Sequence, residues 1–296
     1  MSHVFIASLY YARKQIGLYF GIPVFIVSVV GEFFSIVVLL SLKTFRQNSC
    51  GFYLLTMSIF NLIRLSLSTV FIIISLSFGI DYSVSMFFFC QLRNLIATTC
   101  NTGSISCLCM AVIDQYFATC SRPRWQQWSN IKVAHRMIAI ITLIWTLHSI
   151  PYFILFDKVS PTNTAVCVPT NSIFLQYHTF GYFLTYNSVL PLIAIVFSLM
   201  AFVNVRQVAV YVCTYVEYSV VSAISAINTD RDPVYLAKMN LANAVTLIVS
   251  VYSNGSSFYT YVCVSQRFRR QFLYVLYRMY VVRCYNNQVT PSNTEA

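Results

Sequence analysis

Residues 22–42 read IPVFIVSVVGEFFSIVVLLSL, an apolar run carrying one charge, Glu32. Wound at 1.5 Å per residue, such a run makes a helix about as long as the hydrocarbon of a bilayer is deep, roughly 30 Å. Extending from it in both directions, the same criterion places spans near 17–42, 52–78, 88–118, 134–156, 175–203, 208–227 and 239–264. The composition agrees with that reading. Of 296 residues 58% are hydrophobic and only 9% charged, with a mean hydropathy of +0.68, which leaves too little polar surface to cover a soluble domain. Runs this long and uniform exclude the alternating strands of a membrane barrel, and a helix satisfies its own backbone hydrogen bonds in lipid. The expected fold is therefore all-α: a seven-transmembrane helix bundle whose sixth helix is short.

The domain organisation follows the spans. Residues 1–16 are expected as an extracellular amino terminus, 17–265 as the bundle, and 266–296 as a cytoplasmic amphipathic helix and tail. The first 16 residues show no Lys or Arg before Arg13 and no small-residue cleavage pattern, so the first span is expected to be its own insertion signal.

Basic residues fix the orientation. Lys43, Arg46, Arg122, Arg124, Lys132, Arg136, Arg206, Arg267, Arg269, Arg270, Arg278 and Arg283 fall in alternate gaps, while the other gaps hold Arg13, Lys14, Lys158, Arg231 and Lys238. Positive charge stays inside, so the carboxyl terminus is expected in the cytoplasm and the amino terminus outside. The net charge of +11 is thus an orientation signal. It does not form the single groove or stripe a nucleic acid would need, and no nucleic-acid partner is expected.

The ten cysteines sort by depth. Cys90 and Cys167 fall at the outer face, where oxidising conditions allow a bridge; two unpaired outer thiols are the alternative. Cys107 and Cys109 point to different helix faces and have no histidine beside them, so no metal is expected. Cofactors are likewise not expected. Enzymatic chemistry finds no Gly-rich phosphate loop, no paired carboxylates at helical spacing and no His-Glu-x-x-His motif. Gly17 and Gly21 make a small-xxx-small pair at the start of the first span, read either as loop or loose packing or as a dimer contact.

Cys90 and Asp114 lie 24 residues apart on one span, roughly 36 Å along a helix. With an outer cysteine and an inner acid on one helix, the chain resembles the rhodopsin-like G-protein-coupled receptors, in particular divergent invertebrate members with peptide-receptor-like signatures. The likeness runs from the first span to Arg270. Cys90 and Cys167 resemble the family's outer disulfide. Asp114, Gln115 and Tyr116 stand where the family has Asp-Arg-Tyr, and Trp145 and Pro191 match its helix 4 tryptophan and helix 5 proline. Ser104 falls on the helix 3 serine of its sodium site, and Ser257 to Tyr261 replace Asn-Pro-x-x-Tyr. The departures are Gln115 for arginine, Asn61 for the helix 2 aspartate, Ser257 for asparagine, no proline between Pro191 and Pro233, and a third inner loop reduced to Asn204–Gln207.

The resemblance implies a receptor carrying an extracellular signal across the plasma membrane to a heterotrimeric G protein, with membrane lipids around it. Asp114, Gln115, Tyr116 and Tyr261 would form the coupling switch. Glu32, beside Gly31 where the family has Gly-Asn, is expected to supply the core carboxylate that Asn61 no longer carries, near Ser104 and Ser257. Arg64 is a candidate cation partner, and a protonated Glu32 hydrogen-bonded between two helices is the alternative. Ala97, Thr98 and Asn101 with Tyr182, Tyr186 and Asn187 would line the ligand pocket; Ala97, where amine receptors carry aspartate, argues against a biogenic amine and leaves a peptide as an open class. Phe268, Phe272, Val275 and Leu276 repeat at helical spacing among arginines, as in a helix lying on the inner leaflet, and Cys284 is a candidate for palmitate. A receptor-like protein that has lost coupling, or a small-solute transporter, is the alternative function.

Overall fold

The computed structural model describes residues 2–41, 47–79, 89–120, 123–159, 166–169, 171–201, 220, 221, 224, 232–266 and 268–277. The chain is a helical membrane protein. Five helices among these residues are long and apolar enough to cross a bilayer: His3–Ser41, Ser49–Phe78, Phe89–Thr119, Ile131–Leu155 and Pro233–Ser253. Between the fourth and fifth lies a shorter apolar helix, Ser188–Phe197. The expected sixth span, 208–227, lies outside the described residues except for 220, 221 and 224, which are helical.

In chain order the elements are α1 (Ser2–Ile16), a π turn (Gly17–Gly21), α2 (Ile22–Ser41), α3 (Ser49–Arg64), a second π turn (Leu65–Thr69) and α4 (Val70–Phe78). Then come α5 (Phe89–Thr119), the short α6 (Pro123–Gln126), α7 (Ile131–Leu155), strands β1 (Phe156–Val159) and β2 (Val166–Pro169), and α8 (Ser172–Gln176). A π-helix (Tyr177–Tyr186), α9 (Asn187–Ala201) and α10 (Pro233–Val264) follow.

Local sequence explains where the helices begin and stop. Asn48, Asn130 and Asn171 each accept a backbone N–H of the first turn with the side-chain oxygen, and Asp232 does the same for Val234 ahead of Pro233 at the first helical position. At the other end of α4, Gly79 takes the left-handed conformation (φ 74°) and returns its N–H to Ser75 O at 2.9 Å, the usual glycine stop.

Two differences from the sequence reading concern the first helix. Residues 1–16, expected as a separate amino-terminal segment, are helical from Ser2 and run through the π turn into α2 without interruption. No proline or glycine occurs before Gly17, and α1 packs against α4 and α10. Gly17 is therefore neither a loop nor a dimer contact here. It is buried within the chain, and a Cβ there would lie 2.8 Å from Leu76 Cγ, while Gly21 faces Ile73 and Ile248.

The helices pack around α5, which is buried along most of its apolar length, whereas α7 faces largely outward. α3, α7 and α9 contact α5, and α2 packs against both α3 and α10. Without a hydrophobic drive between helices in lipid, close approach depends on small residues and on hydrogen bonds. The α2–α10 crossing has both. A Cβ on Gly255 would fall inside Ser28, one on Gly31 would meet Gly255 O at 2.9 Å, and Ser28 Oγ donates to Val251 O at 3.1 Å. Tyr259 OH adds a bond to Val27 O at 3.0 Å.

Two further features modify the expected picture. β1 and β2 pair antiparallel, Lys158 opposite Cys167, so a small two-stranded ladder follows α7, while the other elements of the described residues are helical. Residues 268–277 are helical as expected, yet Phe268 and Phe272 are turned onto the bundle and not into a lipid headgroup layer. Phe272 meets Phe34 and Phe258 at ring distances of 5.6 and 5.0 Å, and Phe268 meets Tyr261 at 5.5 Å. Aromatic rings offered by α2 and α10 make a closer-packed surface than headgroups do.

Candidate functional site

The middle of the bundle holds a polar seam in apolar surroundings. Ser104 Oγ on α5 donates to Asn61 Oδ1 on α3 at 2.6 Å, and Asn61 Nδ2 donates to Glu32 Oε1 on α2 at 2.9 Å. All three residues are buried, Glu32 completely. A relay of donors running toward one carboxylate joins three helices, and in a low-dielectric interior such links strengthen one another. Glu32 Oε2 has no hydrogen-bond partner among the described residues, and neither does Ser257 Oγ, on α10 close to where Gly31 meets Gly255 and Tyr259. Polar groups left over in a membrane interior mark a place where something else is accommodated or where the packing changes. Arg64 turns elsewhere, donating from Nη1 to Asn101 Oδ1 at 2.7 Å.

A second cluster closes one end of α5. Asp114 Oδ2 accepts from Ser49 Oγ at 2.7 Å, and Ser129 Oγ lies 3.3 Å from Ser49 Oγ. The acid thus sits at the start of α3, where free N–H groups and the helix dipole favour negative charge. It also ties the α6–α7 connection to the helix ends. Beside it Gln115 Nε2 donates to Cys50 Sγ at 3.2 Å. Tyr116 packs edge-on against Trp125 and Phe197.

Next to Asp114 opens a cavity of about 570 Å³. Its walls come from α3, α5, the α6 loop and α7, and include Tyr53, Met110, Phe117, Trp125, Trp128 and Met137.

The other end of α5 is held covalently. Cys90 and Cys167 form a disulfide that fixes the β-hairpin to the first turn of α5. Beneath it an aromatic cluster joins α7 to α8 and the π-helix: Tyr152 packs on Phe156 and Phe174, His178 Nδ1 and Tyr152 OH share a hydrogen bond of 3.2 Å, and His148 Nε2 bonds Tyr177 OH. Trp145 Nε1 donates to Ser106 Oγ at 2.9 Å, joining α7 to α5 lower down.

Of the expected site residues, the structure brings Glu32, Asn61 and Ser104 into contact and puts Asp114, Gln115 and Tyr116 together at one end. Tyr261 packs with Phe268, apart from that cluster. Thr98 and Asn101 are buried at helix contacts and Ala97 is half-buried; none of the three lines the 570 Å³ cavity. The side chains of Tyr182, Tyr186 and Asn187 lie outside the described residues, as does Cys284. Among the described residues no three His, Cys, Asp or Glu side chains gather where a metal ion could bind.

Sequence reasoning did not single out Ser49, Ser129, Trp125 or Trp128. The pair Asn48-Ser49 ahead of an apolar run was a helix-start signal that could have flagged the first, and two tryptophans three residues apart in a basic loop could have flagged the last. No protein-family model matches the chain, and no curated protein matches it.

Proposed function

We propose that the chain is a receptor of the rhodopsin-like type, taking a non-amine ligand, with peptides as the leading class, on the face where Cys90 and Cys167 are joined, and signalling to a heterotrimeric G protein at the Asp114 end. The observation that carries the reading is the asymmetry of α5: one end is cross-linked, and the other is held by a carboxylate whose partner is a neutral hydroxyl donor. A ligand that favours one of two packings of the bundle shifts the population of that packing, and rupture of the Asp114 contacts would free the α6 loop and Tyr116 for a partner. The Glu32–Asn61–Ser104 relay lies midway and would couple the two ends. The chain is accordingly placed in the plasma membrane, amino terminus outside.

Gln115 favours a second reading. Bonded to Cys50 Sγ, it offers a G protein no cation, so a receptor fold without coupling is the rival.

The test needs no ligand. With the full chain co-expressed with a G protein in insect-cell membranes, basal nucleotide exchange on the G protein should rise at least twofold when Asp114 is changed to Ala. Exchange that stays at the level of membranes lacking the chain, for wild type and variant alike, would reject coupling and leave the rival reading.

A further inference from the structure

The cavity beside Asp114 contains more than the coupling reading uses. The geometry points to a binding site for an anionic single-chain lipid drawn from the adjoining leaflet, with its acyl chain in the cavity and its acidic head on Arg124.

Size admits an acyl chain. A volume of 570 Å³ lies well inside the roughly 300–1,000 Å³ range of small-molecule sites, and one chain of ordinary length is a guest of that size.

The lining selects an apolar body. Met110, Ile113, Phe117, Val133 and Met137 are hydrocarbon or thioether, and methionine adapts well to a flexible guest. The one acid in the wall, Asp114, already accepts from Ser49 Oγ at 2.7 Å, so it is engaged by the protein.

The rim selects the sign of the head. Arg124 lines the cavity, is exposed, and has no hydrogen-bond or ion-pair partner among the described residues. Lys132 and Arg136 follow it, both exposed at the start of α7. A guanidinium at a membrane surface pairs with carboxylate or phosphate oxygens in two-pronged geometry. Trp125 and Trp128, 40% and 61% exposed, both line the cavity, and indoles favour the headgroup level. A cationic amphiphile would meet repulsion at this rim.

Occupancy would be felt by the neighbouring switch. Trp125 touches Tyr116 and Phe117, so a chain lodged behind it props the α6 loop in its present position. That consequence, and the identification of the leaflet as the inner one, rests on the receptor reading; the binding site does not.

The chain has three tryptophans, and only Trp145 lies away from the cavity wall, which makes fluorescence a direct probe. Purified full-length protein in nanodiscs of neutral phosphatidylcholine is titrated with 9,10-dibromostearate, whose bromines quench nearby indoles, and in parallel with the corresponding uncharged dibromo-alcohol. The expected result is saturable quenching by the acid. It is weakened at least fivefold by Arg124→Gln, abolished by Val133→Phe, which fills the cavity, and lost in the Trp125→Phe/Trp128→Phe double variant, while Trp145 is unaffected. The alcohol should bind more weakly than the acid and be indifferent to Arg124→Gln. Quenching that is linear in probe and equal in wild type, Arg124→Gln and Val133→Phe would overturn the site, and equal affinity for acid and alcohol would overturn its anionic head. Each readout is independent of nucleotide exchange, so a failed G-protein assay leaves this result standing and the converse holds too.

Discussion

The two ends of α5 are built on different principles. At Cys90 a covalent bond and a ring of packed aromatics hold the helix to β2, α7 and the π-helix. At Asp114 the attachment is a short chain of serine hydrogen bonds, next to a cavity. A cross-link resists change whatever the packing around it, whereas hydrogen bonds of about 1 kcal/mol net each can be exchanged for others. A helix anchored firmly at one end and loosely at the other can move only at the loose end.

Breaking the covalent end should have the largest effect. Cys167→Ser opens a loop of 77 residues, worth about 4 kcal/mol by loop entropy, and the melting temperature of the detergent-solubilised protein should fall by about 10 °C. Equal melting of oxidised and reduced wild type would show that the aromatic cluster alone suffices. In the middle of the bundle, Gly255→Leu forces a side chain into Ser28 and should cost about 3 kcal/mol, read as loss of a monodisperse peak in size-exclusion chromatography.

At the polar end the cost is smaller and the functional effect greater. Asp114→Ala removes the charge-assisted hydrogen bond from Ser49 and should cost about 2 kcal/mol, with faster proteolysis of the loop holding Trp125 and Trp128 as the local sign. Undiminished loop protection would mean that the clamp is not what holds the loop. Trp145→Phe, which removes one bond to Ser106, should cost about 1 kcal/mol. Smallest of all, Glu32→Gln keeps an oxygen for Asn61 and should alter the unfolding free energy by less than about 0.5 kcal/mol, whereas Glu32→Leu should cost about 2 kcal/mol by stranding the Asn61 amide. A Gln variant as unstable as the Leu variant would show that the carboxylate itself is required.

How much of this was legible from the sequence depends on the range of the interaction. The helices at 49–78, 89–119 and 131–155 could be read from apolar runs, because lipid demands length and hydrophobicity from each span separately. Asn48, Asn130 and Asp232 stand at the starts of three helices, residue types that favour that position. Glu32 and Asn61, which hydrogen-bond at 2.9 Å, stand out in the sequence because each is a polar residue within an apolar run. The α1 extension was not legible: Arg13, Lys14 and Gln15 break the apolar pattern, and the helix persists because Gly17 fits against Leu76, a contact distant in sequence. Ser49 and Asp114 are 65 residues apart, and nothing in either neighbourhood names the other. The turn of Phe268 and Phe272 onto Phe34 and Phe258 was hidden for the same reason, as an amphipathic period specifies an apolar face but not what covers it.

The unbroken run from His3 to Ser41 has a mechanical consequence. Its 39 residues measure roughly 58 Å at 1.5 Å each, nearly twice the oil layer of about 30 Å, and even leaning at about 40° the rod would still overreach that layer by roughly 15 Å. Several turns therefore lie outside the oil, in the headgroup layer of a bilayer about 40–45 Å thick in all, where the amino-terminal part of the rod is braced by α4 and α10.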